Sequence, residues 1–330
     1  MNAPPLLFLS SAAVRQALPM AAAIETMKAA FRELSGGGVT MPPRTKMTVP
    51  EGTGIVLLMP AHSAEENRLS LKFLTLFEAN RDLGLPVIQA LVILADAGTG
   101  LPLAILDGAA LTALRTGAVS GAATSVLARP ESDVAAIFGA GVQARAQLEA
   151  VAAVRSLREA RVFDKDSTAA SAFAREMSER LGIAVHAATA AASALRGADI
   201  VSTATTSRVP VFEDKDLAAG THINAVGVYQ PDRAEIPPET VRRARVVIDQ
   251  RDAALEEAGD LLQAMPGDKA GRDFFDTTLG DVLLGRIPGR RSAGEITLFK
   301  SVGLAVQDLY AASRAYAEAH RLGIGIELPR

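Results

Sequence analysis

The sequence predicts an α/β protein with two sheets: a doubly wound parallel sheet of the Rossmann kind, and a mixed sheet in a discontinuous α+β domain. Three observations carry this. An apolar run, VAAIF, leads straight into the glycine turn GAGVQA and a helical pattern. Five further strand-like runs follow at intervals that fit crossover helices or loops. Upstream, short apolar runs alternate with Pro and Gly and no helix-length pattern separates them, which suits a mixed or largely antiparallel sheet. At 330 residues, two domains are the expectation. We place one at 1–118 together with 303–330 and the other at 119–302.

Taken in order, AAIETMKAAFRELSGGG carries Ile24, Met27, Ala30, Phe31 and Leu34 at helical spacing and ends in glycines suited to a C-cap. MPPRTKMTVP, GIVLLMPAH, LSLKFLTLF and PVIQALVILADAGTGLPLAILDG then read as strands joined by turns, with DAGTGLP a hairpin turn. LTALRTGAVSGAATSVLA reads as a helix whose small residues let neighbouring backbones come close, yet it includes Arg115, whose charge needs an anion. EARVFDKD, IAVHAA, ADIVSTAT, THINAVG and ARVVIDQ complete six runs for the parallel sheet. The segment from residue 303, GLAVQDLYAASRAYAEAHRLG, is a long amphipathic helix expected to return to the first domain.

Composition excludes several functions. With 49% hydrophobic and 22% charged residues and a net charge of −3, nothing suggests a nucleic-acid partner. The absence of cysteine removes disulfides, thiolate metal sites and cysteine nucleophiles. The N-terminal stretch lacks a basic n-region, and Pro19, Glu25, Lys28 and Arg32 interrupt it, so neither a signal peptide nor a membrane span is expected. The cytoplasm is the expected compartment. The four histidines, His62, His186, His222 and His320, show no metal-ligand spacing, and no metal is expected.

Gly139, Gly141 and Ala144 form G-x-G-x-x-A. The first glycine permits the turn, the second lets backbone approach a pyrophosphate, and the alanine allows helix and strand to pack closely. Such a turn alone can be a plain connector. Here the second strand ends in Asp164, placed to accept hydrogen bonds from an adenosine ribose and to repel a 2′-phosphate. That favours NAD(H), with NADP(H) the alternative because Lys165 stands next to it.

Three cations lie in or beside apolar segments: Arg44, Lys72 and Arg115. In an alternating strand Lys72 shares a face with Ser70, Leu74 and Leu76, where a lone ammonium would be costly. Singly, each fits a snorkelling or salt-bridged residue. Together they suit a small carboxylate, which arginine holds through two parallel hydrogen bonds.

MPPR, LKF, GLPVIQALVILADAGTGLPLAILDG, LTALRTGA, GAGVQA, ADIVSTATTS, HINAVG and EITLFKSVG occur in an order that resembles the ornithine cyclodeaminase/mu-crystallin family across nearly the whole chain. The resemblance implies a homodimer, a mixed-sheet domain for substrate and dimerisation, an NAD(P)-binding Rossmann domain, and action on small imino or amino acids. It implies that Arg44, Lys72 and Arg115 hold the substrate carboxylate, with Val302 beside the substrate. Arg115 and Thr116 would lie near the cofactor and Val142 and Gln143 near the pyrophosphate. Asp164 would take the ribose, Thr203, Val226 and Gly227 would line the cofactor cleft, and Ser301 would close the nicotinamide side. Ser301 could also cap the last helix. Val87 stands where many relatives carry a threonine that touches the cofactor.

One departure bears on the reaction. Cyclodeaminase members carry an Asp two positions after NAVG, where this chain has Tyr229. A phenol of pKa near 10 is a poor base at neutral pH, and Asp232 is not equivalent in position. The loop YQPDRAEI is more like that of ketimine reductases. The expected reaction is therefore reduction of Δ1-pyrroline-2-carboxylate to L-proline, with Δ1-piperideine-2-carboxylate to L-pipecolate as its six-membered counterpart. Lys72, Arg115 and Tyr229 are the candidate catalytic residues, and Tyr229 donates a hydrogen bond or fills the pocket. Ornithine cyclodeaminase, alanine dehydrogenase and a non-catalytic mu-crystallin-like binding protein are the alternatives.

Overall fold

The computed structural model describes residues 4–50, 53–265 and 275–330. In chain order the first elements are β1 (Leu6–Leu9), α1 (Ser11–Ala17), α2 (Met20–Gly36), β2 (Val39–Thr40), β3 (Thr45–Thr48), β4 (Ile55–Ser63), β5 (Arg68–Leu76), β6 (Ile88–Asp96), β7 (Pro102–Asp107) and α3 (Gly108–Leu127). Then come β8 (Val134–Phe138), α4 (Val142–Val154), β9 (Glu159–Phe163), α5 (Ser167–Leu181), β10 (Ala184–Ala187), α6 (Ala191–Leu195), β11 (Ile200–Thr203), β12 (His222–Ala225) and α7 (Pro238–Arg243). The chain ends with β13 (Arg245–Ile248), α8 (Arg251–Glu257), α9 (Gly259–Ala264), α10 (Leu279–Leu283), β14 (Thr297–Lys300), α11 (Ala305–Leu322) and β15 (Ile326–Leu328).

The chain divides into two compact units, Met1–Arg115 with Leu304–Arg330, and Thr116–Gly303. The first border falls inside α3, earlier than expected after residue 118, and the second follows Gly303 rather than residue 302.

Unit 1 holds a sheet in the order β15-β1-β7-β6-β5-β4-β2, with β3 also on β4. It is mixed: β1 runs parallel to β7, while β4 to β7 form an antiparallel meander. The DAGTGLP turn joins β6 to β7, and the Asp96 carboxylate accepts from both the backbone N–H and the hydroxyl of Thr99. This local bond favours the turn over continued strand. Helix α11 packs on α1, α2, β4, β5 and β6. The sheet therefore buries alternate residues, Leu57, Met59 and Ala61 on β4 and Ser70, Lys72 and Leu74 on β5. The opposite register exposes Leu58, Leu69, Phe73, Leu91 and Ile93.

Unit 2 holds a seven-stranded sheet in the order β10-β9-β8-β11-β12-β14-β13, with every pairing parallel. Alternate residues of the fully buried β8 enter different cores. Val134, Ala136 and Phe138 join one, while Ala135 and Ile137 join the other with Leu148, Phe173 and Met177 from α4 and α5. Helices on both faces explain why these strands are continuous apolar runs. The structure adds a seventh strand to the six expected. TLFK forms β14 and inserts between β12 and β13. Four fully buried residues offer no alternation by which to recognise a strand.

Small residues in α3 have a packing cause. A Cβ at Gly117 would lie 2.5 Å from the Ala146 carbonyl oxygen of α4, so only glycine lets the two backbones approach. Among the described residues, no helix is long and apolar enough to cross a membrane.

Candidate active site

The candidate site residues fall into two sets of side chains, one in each unit. In unit 1, Lys72 occupies the middle of β5, with only 1% of its surface exposed. Its Nζ lies 2.6 Å from Oδ2 of Asp308 on α11, and Arg115 Nε donates to Oδ1 of the same carboxylate at 3.0 Å. Arg115 Nη1 also donates to Gln307 Oε1, and Gln307 Nε2 is buried with no hydrogen-bond partner among the described residues. Arg44, half-buried just before β3, is close enough to act on Lys72 electrostatically.

The energetics follow from burial. Desolvation lowers the Lys72 ammonium pKa to about 8; Asp308 opposes this, while Arg115 and Arg44 add to it. Burial alone would raise the Asp308 carboxyl, but Lys72 and Arg115 outweigh it and hold the group below its usual range. Two cations on one carboxylate leave one net positive charge. The cluster can therefore accept a monoanion without burying an uncompensated charge.

In unit 2 the glycine turn closes β8. Gly139 takes φ +99°, a region that disfavours any side chain, and a Cβ there would lie 2.7 Å from the Ala204 carbonyl oxygen. Strands β8 and β11 are neighbours from which the chain winds in opposite directions, and such a switch point is where open α/β sheets bind ligands. Gly141 is the N-cap residue of α4, and a Cβ built on it meets nothing within 4 Å. Val142 is exposed, and Gln143 carries a buried Oε1 with no partner among the described residues. Open space at a helix N-terminus, beside an unsatisfied polar side chain, fits a pyrophosphate.

Other side chains brace this turn. Asp164 Oδ2 accepts from Ala140 N at 2.8 Å and Oδ1 from Asp166 N at 2.9 Å, so the acid at the end of β9 anchors the glycine loop. Its remaining lone pairs can still accept from a ribose. Arg145 Nη1 donates to the carbonyls of Ala140 and Gly141, while its guanidinium pairs with Glu176 and lies over Phe173. Thr116, on α3, accepts at its carbonyl from Gln147 Nε2 at 3.2 Å. Val226 N donates to Thr203 O at 3.1 Å, tying the ends of β11 and β12.

A buried carboxylate organises the segment after β14. Asp249 Oδ2 accepts from Ser301 Oγ, Val302 N and Gly303 N at 3.0, 2.7 and 3.1 Å. Burial raises the Asp249 pKa, with these donors pulling the other way. The capping role for Ser301 does not hold, because α11 begins at Ala305 behind Leu304 and takes no side-chain cap. The hydroxyl is drawn to Asp249 instead.

The family model described as ornithine cyclodeaminase/mu-crystallin matches residues 6–322. The chain belongs to that family. Members of the ornithine cyclodeaminase/mu-crystallin family similar to it include a Δ1-pyrroline-2-carboxylate reductase of Bacillus cereus (strain ZK / E33L). That relative is 36% identical over 321 residues, covering 97% of this chain and 98% of the relative. The ketimine reductase mu-crystallin of Mus musculus is 38% identical over 293 residues, covering 89% and 90%. Among solved structures, the Thermococcus litoralis Δ1-pyrroline-2-carboxylate reductase in complex with NADH and L-proline superposes with a TM-score of 0.94 at 40% identity, covering 98% of this chain and all of the other.

Within this family member, the structure brings Lys72 and Arg115 together on one carboxylate. Tyr229 is half-buried after β12 and packs against the apolar core of unit 2, and Asp232 is exposed. Sequence reasoning missed Asp308, Gln307, Asp249 and Glu235. Each is buried in the fold, but only AVQDLYAA carries a signal of it, with two polar residues where an amphipathic helix buries its stripe.

Proposed function

We propose that the protein is an NAD(P)H-dependent imino-acid reductase that converts Δ1-pyrroline-2-carboxylate to L-proline, with the six-membered Δ1-piperideine-2-carboxylate to L-pipecolate as a second substrate. The observation that carries this reading is the buried Lys72–Asp308–Arg115 cluster with its one net positive charge. Arg115 and Arg44 take the substrate carboxylate, and Lys72 gives a proton to the ring nitrogen. A bound nicotinamide supplies the hydride that goes to C2. The imine thus gains one hydride and one proton, and Lys72 regains its proton from water. Orientation of the carboxylate supplies much of the rate. The family membership and the reductase named among its structural neighbours support the class of reaction. Five- and six-membered rings differ by one methylene, worth about 1–3 kcal/mol in an apolar pocket, so both turn over.

A cyclodeaminase needs a base to oxidise and cyclise ornithine, and Tyr229 is ill suited to that. The test mixes purified protein with Δ1-pyrroline-2-carboxylate and NADH or NADPH, alongside L-ornithine with NAD+. Oxidation of the reduced cofactor by the imine, with no ammonia from ornithine, is expected. Ammonia and proline from ornithine without imine reduction would overturn the reading.

NADH is the expected cofactor, because a 2′-phosphate would meet the Asp164 carboxylate. Asp164→Asn keeps an oxygen for Ala140 N–H and removes the charge. It is expected to lower the NADH over NADPH preference in kcat/KM by about tenfold, the scale of one like-charge contact near a surface. An unchanged ratio would remove Asp164 from cofactor selection.

We further propose that the exposed apolar face of the unit 1 sheet pairs with a second copy of the chain. Phe73 and Leu91 are direct cross-strand partners, and Leu58 lies opposite Phe73 on the other side. They are 44%, 45% and 37% exposed, and an apolar sheet face of this kind marks an interface. Light scattering should give two chains per particle for the wild type and one for Phe73→Asp. A monomeric wild type would contradict this.

A further inference from the structure

We propose that Glu235 is a positioning residue for the dinucleotide, its buried carboxylate clamping together the loops that follow β11 and β12 at the carboxyl ends of the unit 2 strands. This rests on the dinucleotide reading of the glycine turn and not on the identity of the imine. Glu235 is fully buried and makes no ion pair among the described residues. Three donors instead converge on it: Thr203 Oγ1 at 3.0 Å and Gly227 N at 2.9 Å on Oε2, and Thr205 N at 2.7 Å on Oε1. All three come from the two chain segments at the switch-point edge, where the Ala204 carbonyl also presses on Gly139. A Cβ at Gly227 would lie 2.5 Å from both carboxylate oxygens and from the Thr205 carbonyl, so glycine there is what lets the clamp close.

The clamp is itself fixed from behind. Asp260 Oδ1 accepts from the backbone N–H groups of Glu235 and Ile236, and Asp260 Oδ2 pairs with Lys300 Nζ at 2.6 Å. Lys300 also donates to Val228 O at 2.5 Å, just beyond Gly227. One chain of bonds thus links β14, the Val226–Val228 loop, the start of α9 and the Thr203–Thr205 loop. A structural carboxylate could satisfy its own needs almost anywhere; this one spends its acceptors on the two loops nearest the glycine turn.

The arrangement gives a readable consequence. Burial and the neighbouring Asp260 push the Glu235 carboxyl up to about 7, against Lys300 and the Thr205 bonds. The charged groups facing it are Asp260 on α9 and Lys300 on β14. His222 on β12 is held near 3, chiefly by burial, and stays neutral at these pH values. Protonation adds a donor where three already converge and turns the carboxylate into a weaker acceptor for the Thr205 and Gly227 N–H groups, so the clamp loosens.

The test is NADH binding without substrate, followed by nicotinamide fluorescence from about pH 6 to about pH 8.5, a range that brackets the carboxyl. Wild-type affinity should weaken by up to about tenfold between the upper end and pH 6, the most that one proton at a carboxyl near 7 allows, and E235Q should bind about tenfold more weakly at the upper end with no such pH dependence. E235Q that binds NADH with the wild-type affinity and pH profile would overturn the proposal. If E235Q does not fold, the wild-type series decides, and affinity constant with pH overturns it. No binding of NADH or NADPH at any pH would overturn the dinucleotide reading itself.

Discussion

Lys72→Met is expected to lower kcat for imine reduction by about 10²- to 10⁴-fold, the range for loss of a positioned general acid. Methionine keeps the length and apolar stem of the side chain on β5 but removes the charge. Asp308 retains Arg115 as partner, so the fold should survive the change. The pH dependence gives the second signature. The Lys72 amine is lowered to about 8, and it can donate only when protonated. Reduction in the wild type should therefore decline as pH rises through about 8, while oxidation of proline, which needs the neutral amine, should gain over the same range. The variant should lack that limb. A kcat profile for Lys72→Met that keeps the wild-type limb would assign the proton to another group, with Tyr229 the first to test.

Arg115→Ala should cut kcat/KM for the imine by about 10²- to 10⁴-fold, equivalent to about 3–5 kcal/mol for truncating one partner of a buried charge pair. The loss should fall mainly on KM, because in the proposed reaction the guanidinium would hold the carboxylate in both ground and transition states. Asp308 keeps Lys72 at 2.6 Å, so the cost in stability is confined to about 1–3 kcal/mol, the scale of a lost charge-assisted bond. Steady-state kinetics and thermal unfolding check both parts together. A variant with wild-type kinetics would remove Arg115 from the site.

What was legible in the sequence depended on how local the signal was. The glycine turn was legible because Gly139, Gly141, Ala144 and Asp164 lie within one β-α-β unit, and the bonds from Ala140 N and Asp166 N to Asp164 lie within that same stretch. Lys72 was legible because strand alternation puts it on the buried face of β5. Its partner Asp308 was not, because it lies far along the chain; even Arg115 meets that carboxylate across 193 residues of sequence, a pairing no periodicity reports. The same holds for Glu235 and Asp249. Each looks like an ordinary surface acid in a short motif, and only the sheet brings it beneath the backbone N–H groups it holds. The strand TLFK was hidden by shortness and complete burial, and the capping alternative for Ser301 fails because the hydroxyl bonds to Asp249, 52 residues away.

In the proposed reaction hydride reaches the imine carbon while Arg115 and Lys72 hold the carboxylate and the nitrogen. Reduction of Δ1-pyrroline-2-carboxylate with NADH deuterated at the transferable C4 position tests it most directly, with the product read by mass spectrometry and NMR. The expected product is L-proline carrying one deuterium, located at C2. Proline without deuterium at C2, or no proline while the same preparation releases ammonia from ornithine, would contradict it.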